Sequence, residues 1–335
     1  MKCCATTARL DNLPQRVLLT LVLLSGSAFS QETTLRSQAN VVLIPALVKD
    51  SGGQVVYDLQ ANDFVIEDDG VEQPVRLDEA PEAQPVSLVV VIQRGRRAPY
   101  EFPRMQGLHT MLDPLFESGT ARVALVEFDS KVELTRDFTN NENAVDRDLA
   151  NLQSGDNGAA ILDAVNYSVG LLRNEPDNRM RVLLLISETR DHGSIMKVDS
   201  AVAAIGRANV LIYSLAFSPS LSNVLDTERG SNKAEMHNGI NFLDLAYRAR
   251  QAMRKNVPSA IAQMTGGEYQ LYSSRKKFEM RMTDFTNHLH SRYLLSFTPA
   301  DPHPGLHQIR VRLRNRSDAT VLARTSYWAE GTSQK

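Results

Sequence analysis

Beyond residue 30 the chain has no cysteine; its only two, Cys3 and Cys4, lie at the extreme N-terminus. Without them no disulfide, thiolate metal site or cysteine nucleophile can form. No apolar run approaches the roughly eighteen residues that a membrane helix needs. The chain lacks a Walker sequence, a G-x-G-x-x-G turn and a G-x-S-x-G elbow, so nucleotide binding and hydrolase chemistry have no motif to stand on. Neither sign of charge dominates: 37 basic residues face 39 acidic ones, for a net charge of -2. A mildly acidic chain is a poor general ligand for nucleic acid.

What is present begins with a targeting pattern. Lys2, Arg9 and Arg16 precede an apolar core at 17–24, and Ala28-Phe29-Ser30 forms a small-residue cleavage site before Gln31. The pattern predicts a signal peptide over 1–30 and a secreted or periplasmic protein with no integral membrane segment after cleavage. Removing it would delete three basic groups and Asp11, moving the net charge from -2 to -4. No cysteine sits at the cleavage site, so a lipoprotein is excluded.

The remaining chain divides by pattern. Residues 41–48, 64–67 and 73–77 read as strands, the last two joined at Asp68-Asp69-Gly70; Pro45 implies an edge or a bulge. A Pro/Glu/Ala segment at 80–85 reads as a linker. Apolar strands at 88–92, 122–128, 182–186 and 210–217 then alternate with helical patterns. Those helices are expected near 100–116, 142–152, 159–173, 195–207, 242–264 and 276–290. The alternation predicts an α/β fold with a mostly parallel sheet flanked by helices. A hairpin at 123–135 would add one antiparallel edge strand, and 219–241 reads as a mobile loop. Strand patterns return at 293–298, 306–314 and 320–328, with Trp328 expected in a core. Two β segments, each too small to bury a core alone, predict one antiparallel β-sandwich built from N- and C-terminal pieces. The expected division is 38–80 for its first half, 86–290 for the α/β domain and 291–330 for its second half.

Several runs together resemble the von Willebrand factor A (VWFA) family, and within it a VWFA-related subgroup of exported, largely acidobacterial, proteins. They are Val48-Lys49-Asp50-Ser51-Gly52-Gly53, the stretch from Asp63-Phe64 to Asp69-Gly70, the hairpin at 123–135 and the run at 158–164. The turn Thr265-Gly266-Gly267 and the ending from Gly305-Leu306-His307 to Tyr327-Trp328 complete the match. The resemblance implies an A-type α/β domain whose usual members hold Mg²⁺ through D-x-S-x-S, a threonine and an aspartate. Here those positions carry Gln93, Gly95 and Arg97, then Ala159, then Glu188. Four of five oxygen ligands are gone and the fifth is altered, while Arg94, Arg96 and Arg97 would repel a divalent cation. The site is therefore expected to be degenerate, with no metal and no cofactor.

Arg96 or Arg97 could instead place a guanidinium there and pair with Glu188 or Asp191, or grip the acidic group of a partner. The expected protein-binding set is Gln93, Arg94, Arg96, Arg97, Asn157, Glu188 and Asp191, in the loops after residue 92 and at 154–159 and 187–194. The function this implies is an exported, non-enzymatic adhesion or scaffold module for a protein partner. Two alternatives stand beside it: a metal-dependent adhesin using Asp156, Asp163, Glu188 and Asp191, and a self-associating envelope component. His303 and His307 lie in a Pro/Gly turn and read as surface histidines. His192 beside Ser187 and Asp191 lacks the glycine-flanked elbow of a hydrolase.

Overall fold

The structure, a computed structural model, describes residues 41–78, 84–117, 119–217, 242–300, 303–316 and 318–329. The expected signal peptide and the expected loop at 219–241 lie outside the described residues, as does most of the linker. At the centre is strand β5 (Val86–Gln93), buried along its whole length. It runs parallel to β6 (Arg122–Phe128) on one side and β8 (Met180–Ser187) on the other. Next come β9 (Leu211–Phe217) and β10 (Tyr269–Tyr272), both parallel, and β7 (Val132–Thr139), which pairs antiparallel with β6 at the far edge. The order β10-β9-β8-β5-β6-β7 is that of a doubly wound sheet whose direction of winding reverses between β5 and β8.

Alternation along β5 feeds two cores. Leu88, Val90 and Ile92 pack with helices α1 (Leu108–Glu117), α2 (Glu142–Ala150) and α7 (Arg275–His290). Val89 and Val91 pack with α3 (Ile161–Arg173), α4 (Val198–Arg207), α5 (Phe242–Lys255) and α6 (Val257–Thr265). Burying both faces is why the strand reads as an unbroken apolar run. Helix α3 buries Ile161, Leu162, Val165, Val169 and Leu172, the stripe its spacing predicts.

Two expected helices come out shorter. The segment 100–116 opens with 3₁₀ turns around Pro103, and α1 starts only at Leu108, after Gly107 with its positive φ of 85°. The segment 242–264 is two helices: the Asn256 side chain accepts from Ser259 N, and Pro258 sits in the first turn of α6. A proline tolerated there would break a continuous helix. Helix α6 stops at Gly266, whose left-handed φ of 79° and tight approach to the Arg324 backbone both call for glycine.

The remaining strands make two four-stranded sheets. One has the order β13 (Thr320–Leu322), β1 (Val42–Lys49), β11 (Tyr293–Phe297), β4 (Arg76–Asp78), the other β14 (Ser326–Ala329), β12 (Gly305–Leu313), β2 (Phe64–Asp68), β3 (Val71–Gln73). Strand β1 (Val42–Lys49) pairs antiparallel with β11 (Tyr293–Phe297) and with β13 (Thr320–Leu322). Strand β12 (Gly305–Leu313) lies between β2 (Phe64–Asp68) and β14 (Ser326–Ala329). Ile44, Phe64, Ile66, Leu295, Phe297 and Ile309 close the core between the two sheets. The sandwich is thus built from N- and C-terminal segments.

The expected strand at 73–77 is divided at Pro74. Strand β3 (Val71–Gln73) stays with β2, while β4 (Arg76–Asp78) crosses to pair with β11 in the other sheet. Strand β1 is no edge strand, but β13 covers it only from Leu47 to Lys49, leaving Pro45 with an open side. Trp328 is not in the sandwich core. It packs with the α/β core near α4, under the Arg207 guanidinium at 4.4 Å. His307 is no surface histidine, being 1% exposed. No helix among the described residues is long and apolar enough to cross a membrane.

A carboxylate joins the sandwich to the α/β layers. Glu268 Oε2 lies 2.8 Å from Lys49 Nζ of β1, and Oε1 lies 2.8 Å from His288 Nδ1 of α7. Burial alone would raise the Glu268 pKa, but the His288 hydrogen bond and the Lys49 charge overcome it and hold it at about 2. A group depressed from an ordinary value near 4.5 contributes stability that is full above that value and is lost as pH falls towards 2. The window is worth about 3 kcal/mol. In denaturant titrations between pH 5 and 2, Glu268→Gln should flatten the stability loss relative to wild type. Parallel loss in both proteins would assign it to other groups.

Candidate functional site

The crevice of a doubly wound sheet opens at the C-terminal ends of the strands where the winding reverses. Here that is the end of β5, at Gln93, and the residue after β8, Glu188. The two meet. Gln93 is fully buried; its Oε1 accepts from Glu188 N at 2.9 Å and its Nε2 donates to Gly95 O at 3.1 Å. Both polar ends of the amide are thereby satisfied inside the protein.

Arg96 comes back over this pair. Its Nε lies 2.7 Å from the buried carboxylate oxygen Oε1 of Glu188. The N–H is not aimed at that oxygen, so the contact is one of charge and not an aligned hydrogen bond. Arg96 has a positive φ of 56°, uncommon for a residue with a side chain. Left-handed backbone here turns the loop sharply enough for the side chain to fold back on Glu188.

The other expected residues separate by role. Arg94 turns away, its Nε 2.9 Å from Asp129 Oδ2 and its Nη1 2.9 Å from Glu133 Oε2. Burial works against that cation, but Asp129, Glu133 and Glu127 outweigh it and raise its pKa. Among the described residues Asp191 pairs with no arginine. Its Oδ1 accepts from Leu162 N and the Ser194 hydroxyl, stapling the loop after β8 to the start of α3. Arg97 and Asn157 are exposed, and among the described residues Arg97 makes no ion pair.

Three loops cross at this point with no room for side chains. A Cβ on Gly95 would lie 2.1 Å from Gly158 O; on Gly158 it would lie 2.4 Å from Ser130 N; on Gly155 it would strike the Asp129 carboxylate. Backbone bonds lock the crossing: Arg96 N to Asp156 O, Gly155 N to Arg94 O, and a reciprocal pair between Ala159 and His192 at 2.8 Å. Asp156 caps it by accepting from Ser130 N, Gly158 N and the Ser130 hydroxyl, and the hydroxyl bond does most to lower its pKa. Sequence pattern alone singled out neither Asp129 nor the glycines as organising residues, although Asp129-Ser130 is visible as a hairpin turn.

A hard divalent cation needs a converging set of oxygen donors, and the described side chains at the positions the resemblance gives to its ligands are engaged otherwise or carry no oxygen. Ala159 has no donor, the Gln93 oxygen is occupied by Glu188 N, and Glu188 faces a guanidinium. The carboxylates of the metal-dependent alternative are engaged as well. Asp163 accepts from Ile195 N and Met196 N, Asp191 from Leu162 N, and Asp156 from the backbone of Ser130 and Gly158. The serine, histidine and aspartate of this region form no relay. Ser187 is buried and its hydroxyl donates to Glu188 O, while His192 Nε2 lies 4.0 Å from Glu188 Oε1.

No family model matches the chain, and no curated protein does. Solved structures do. The vWF domain of the type V pili tip protein Mfa5 from Porphyromonas gingivalis matches at 15% identity over 32% of this chain and 39% of that one, with a TM-score of 0.29. The conserved hypothetical protein BatB from Bacteroides thetaiotaomicron matches at 12% identity over 61% of this chain and 98% of that one, with a TM-score of 0.40. Proximal thread matrix protein 1 from the mussel byssus, with a zinc-occupied MIDAS motif, matches at 10% identity over 66% and 48%, with a TM-score of 0.42. The chain thus spans less than half of the pilus-tip and byssus structures it matches.

Truncating Arg96 would leave Glu188 as a buried, unpaired carboxylate. Arg96→Met is expected to cost about 2 kcal/mol of stability, and adding Glu188→Gln should restore most of it. Denaturant unfolding of the two single variants and the double variant measures this coupling. A double variant no more stable than Arg96→Met would show that the pair carries none.

Proposed function

We propose that this chain is an exported, non-enzymatic protein-interaction module with a von Willebrand A-type domain, in which an arginine occupies the role of the metal. The observation that carries the reading is the Arg96–Glu188 contact beneath the loop crossing. It sits at the position the family resemblance gives to the cation, and it supplies positive charge from the chain itself. Arg97 stands beside it, exposed, as the cation left to meet a partner's carboxylate. Two large apolar side chains emerge from loops at the same end of the sheet: Tyr100 after β5, 79% exposed, and Ile195 after β8, 93% exposed. Arginine and tyrosine beside exposed apolar surface suit a protein interface.

The three arginines are not equivalent tests. Reversing Arg94 or Arg96 would strand buried carboxylates and disturb the fold, whereas Arg97 holds nothing together. Arg97→Glu should therefore keep the wild-type unfolding midpoint yet lose a specific partner captured from the native envelope, by at least about 10-fold in affinity once that partner is purified. Unchanged affinity would remove Arg97 from the interface. Calorimetric titration with Mg²⁺ and Mn²⁺ is expected to give no binding at this crevice. Micromolar binding abolished by Glu188→Gln would overturn the metal-free reading.

A further inference from the structure

Far from the loop crossing, the turn between β2 and β3 meets the segment that enters β12. Asp69 lies in that turn, with a left-handed φ of 48°. His303 precedes β12 and His307 lies within it. One nitrogen from each histidine and a carboxylate oxygen of Asp69 all lie within 4.8 Å of one another. His307 Nδ1 is 2.9 Å from Asp69 Oδ2 and 3.4 Å from Asp68 Oδ1, and His303 Nε2 is 3.8 Å from Asp69 Oδ2.

His307 decides what this cluster does. Its ring is buried and stacked on Tyr327, with centroids 4.8 Å apart. Its Nε2 lies 2.7 Å from His303 O, and a carbonyl only accepts, so Nε2 carries the proton. The opposite nitrogen, Nδ1, is buried without an aligned hydrogen bond and points towards the Asp68 and Asp69 carboxylates; Asp68 Oδ1 is equally without one. A ring nitrogen facing two carboxylates calls for a cation between them, either a proton on the ring or a metal ion. A ring that gives its far N–H to a backbone carbonyl and turns its near nitrogen to a carboxylate is oriented as metal-bound histidines are.

We propose that Asp69, His303 and His307 form a binding site for a late first-row divalent cation such as zinc. The site pins the β2–β3 turn to the entry of β12, and it is independent of the crevice at β5 and β8. Two imidazoles and one carboxylate suit such an ion better than Mg²⁺ or Ca²⁺. In a tetrahedron with bonds near 2.1 Å the donors stand about 3.4 Å apart, close to the spacings seen here. Asp69 and His303 are partly exposed, which gives the ion a way in and leaves a fourth position for water. Asp68, held by the Tyr327 hydroxyl at 2.9 Å, is the outer carboxylate that faces the buried ring.

The test uses the full chain, untagged, and Zn²⁺ alone. Calorimetry is expected to show one zinc bound per chain at micromolar affinity or tighter, with a raised unfolding midpoint. His303→Ala and Asp69→Asn should each weaken binding by at least about 10-fold. Both should fold: His303 is exposed, and asparagine tolerates the left-handed backbone of the turn. His290→Ala, remote from the cluster in sequence, should leave zinc affinity unchanged. Co²⁺ bound in place of zinc should show the visible absorption of a tetrahedral site and lose it in His303→Ala. Absence of micromolar zinc binding, or equal binding by wild type and His303→Ala, would overturn the proposal.

Discussion

The antiparallel pairing of β1 with β11 is the constraint on which the rest of the molecule depends. Val42 faces Phe297 and Ala46 faces Tyr293, so chain segments some 250 residues apart are held side by side. Everything from β5 to α7 lies between those two paired strands and must leave and return at one place. Neither β segment could bury Ile44, Phe64, Leu295 and Ile309 alone, because each supplies only part of both sheets. The Glu268 contacts to Lys49 and His288 then fix how the inserted layers sit against the sandwich. Arg292 adds a second tie, donating to Tyr213 and to Gly266 O where α6 ends. Burial and the coupling to Glu268 push the Tyr213 hydroxyl up to about 12, so it meets Arg292 as a neutral phenol.

At the other end of the sheet the constraint is one of space. Gly95 and Gly158 let the loops approach until backbone touches backbone, Gly155 lies against the Asp129 and Arg94 side chains, and a methyl group at any of them would collide. That compression has a chemical consequence. Side chains that cannot point into the crossing must point around it, so Arg94 is driven to the β6–β7 edge and Arg96 over Glu188. Left-handed backbone at a residue with a side chain costs on the order of 1 kcal/mol. The Arg96–Glu188 contact offsets it.

Much of this was legible beforehand, and the parts that were not have physical reasons. Strands buried on both faces announce themselves because every position is apolar, as in β5 and β8. Helix α3 was legible because one stripe is buried and the other wet. The break at Asn256 was in the letters, since Pro258 stands two residues later, but the apolar periodicity on either side masks it. The crossing of β4 into the second sheet depends on which partner captures three residues after Pro74, and periodicity carries no such information. Trp328 misled for the same reason: alternation in β14 separates its two faces without saying which one meets α4. At the site, the family resemblance and not spacing suggested that Arg96 or Arg97 would meet Glu188 or Asp191; the fold sets Arg96 beside Glu188, because strand ends at a reversal point converge. The roles of Asp129, Asp191 and His307 depended on tertiary contacts between segments 29 to 239 positions apart, which no local pattern encodes.

If the proposed reading holds, a guanidinium standing where the family resemblance implies an ion would change what a contact surface can do. A bound ion exchanges with solvent and can complete its shell with a partner's carboxylate, so adhesion follows its concentration. A side chain is always present, and its charge is already shared with Glu188. On that reading a partner would be met mostly by Arg97 and the exposed apolar rim of Tyr100 and Ile195. Such contacts weaken with ionic strength, because the exposed cation is screened, and they do not respond to chelators. A surface of the proposed kind would be permanently switched on, and its specificity would have to come from shape and from the rigidity of the glycine crossing beneath it.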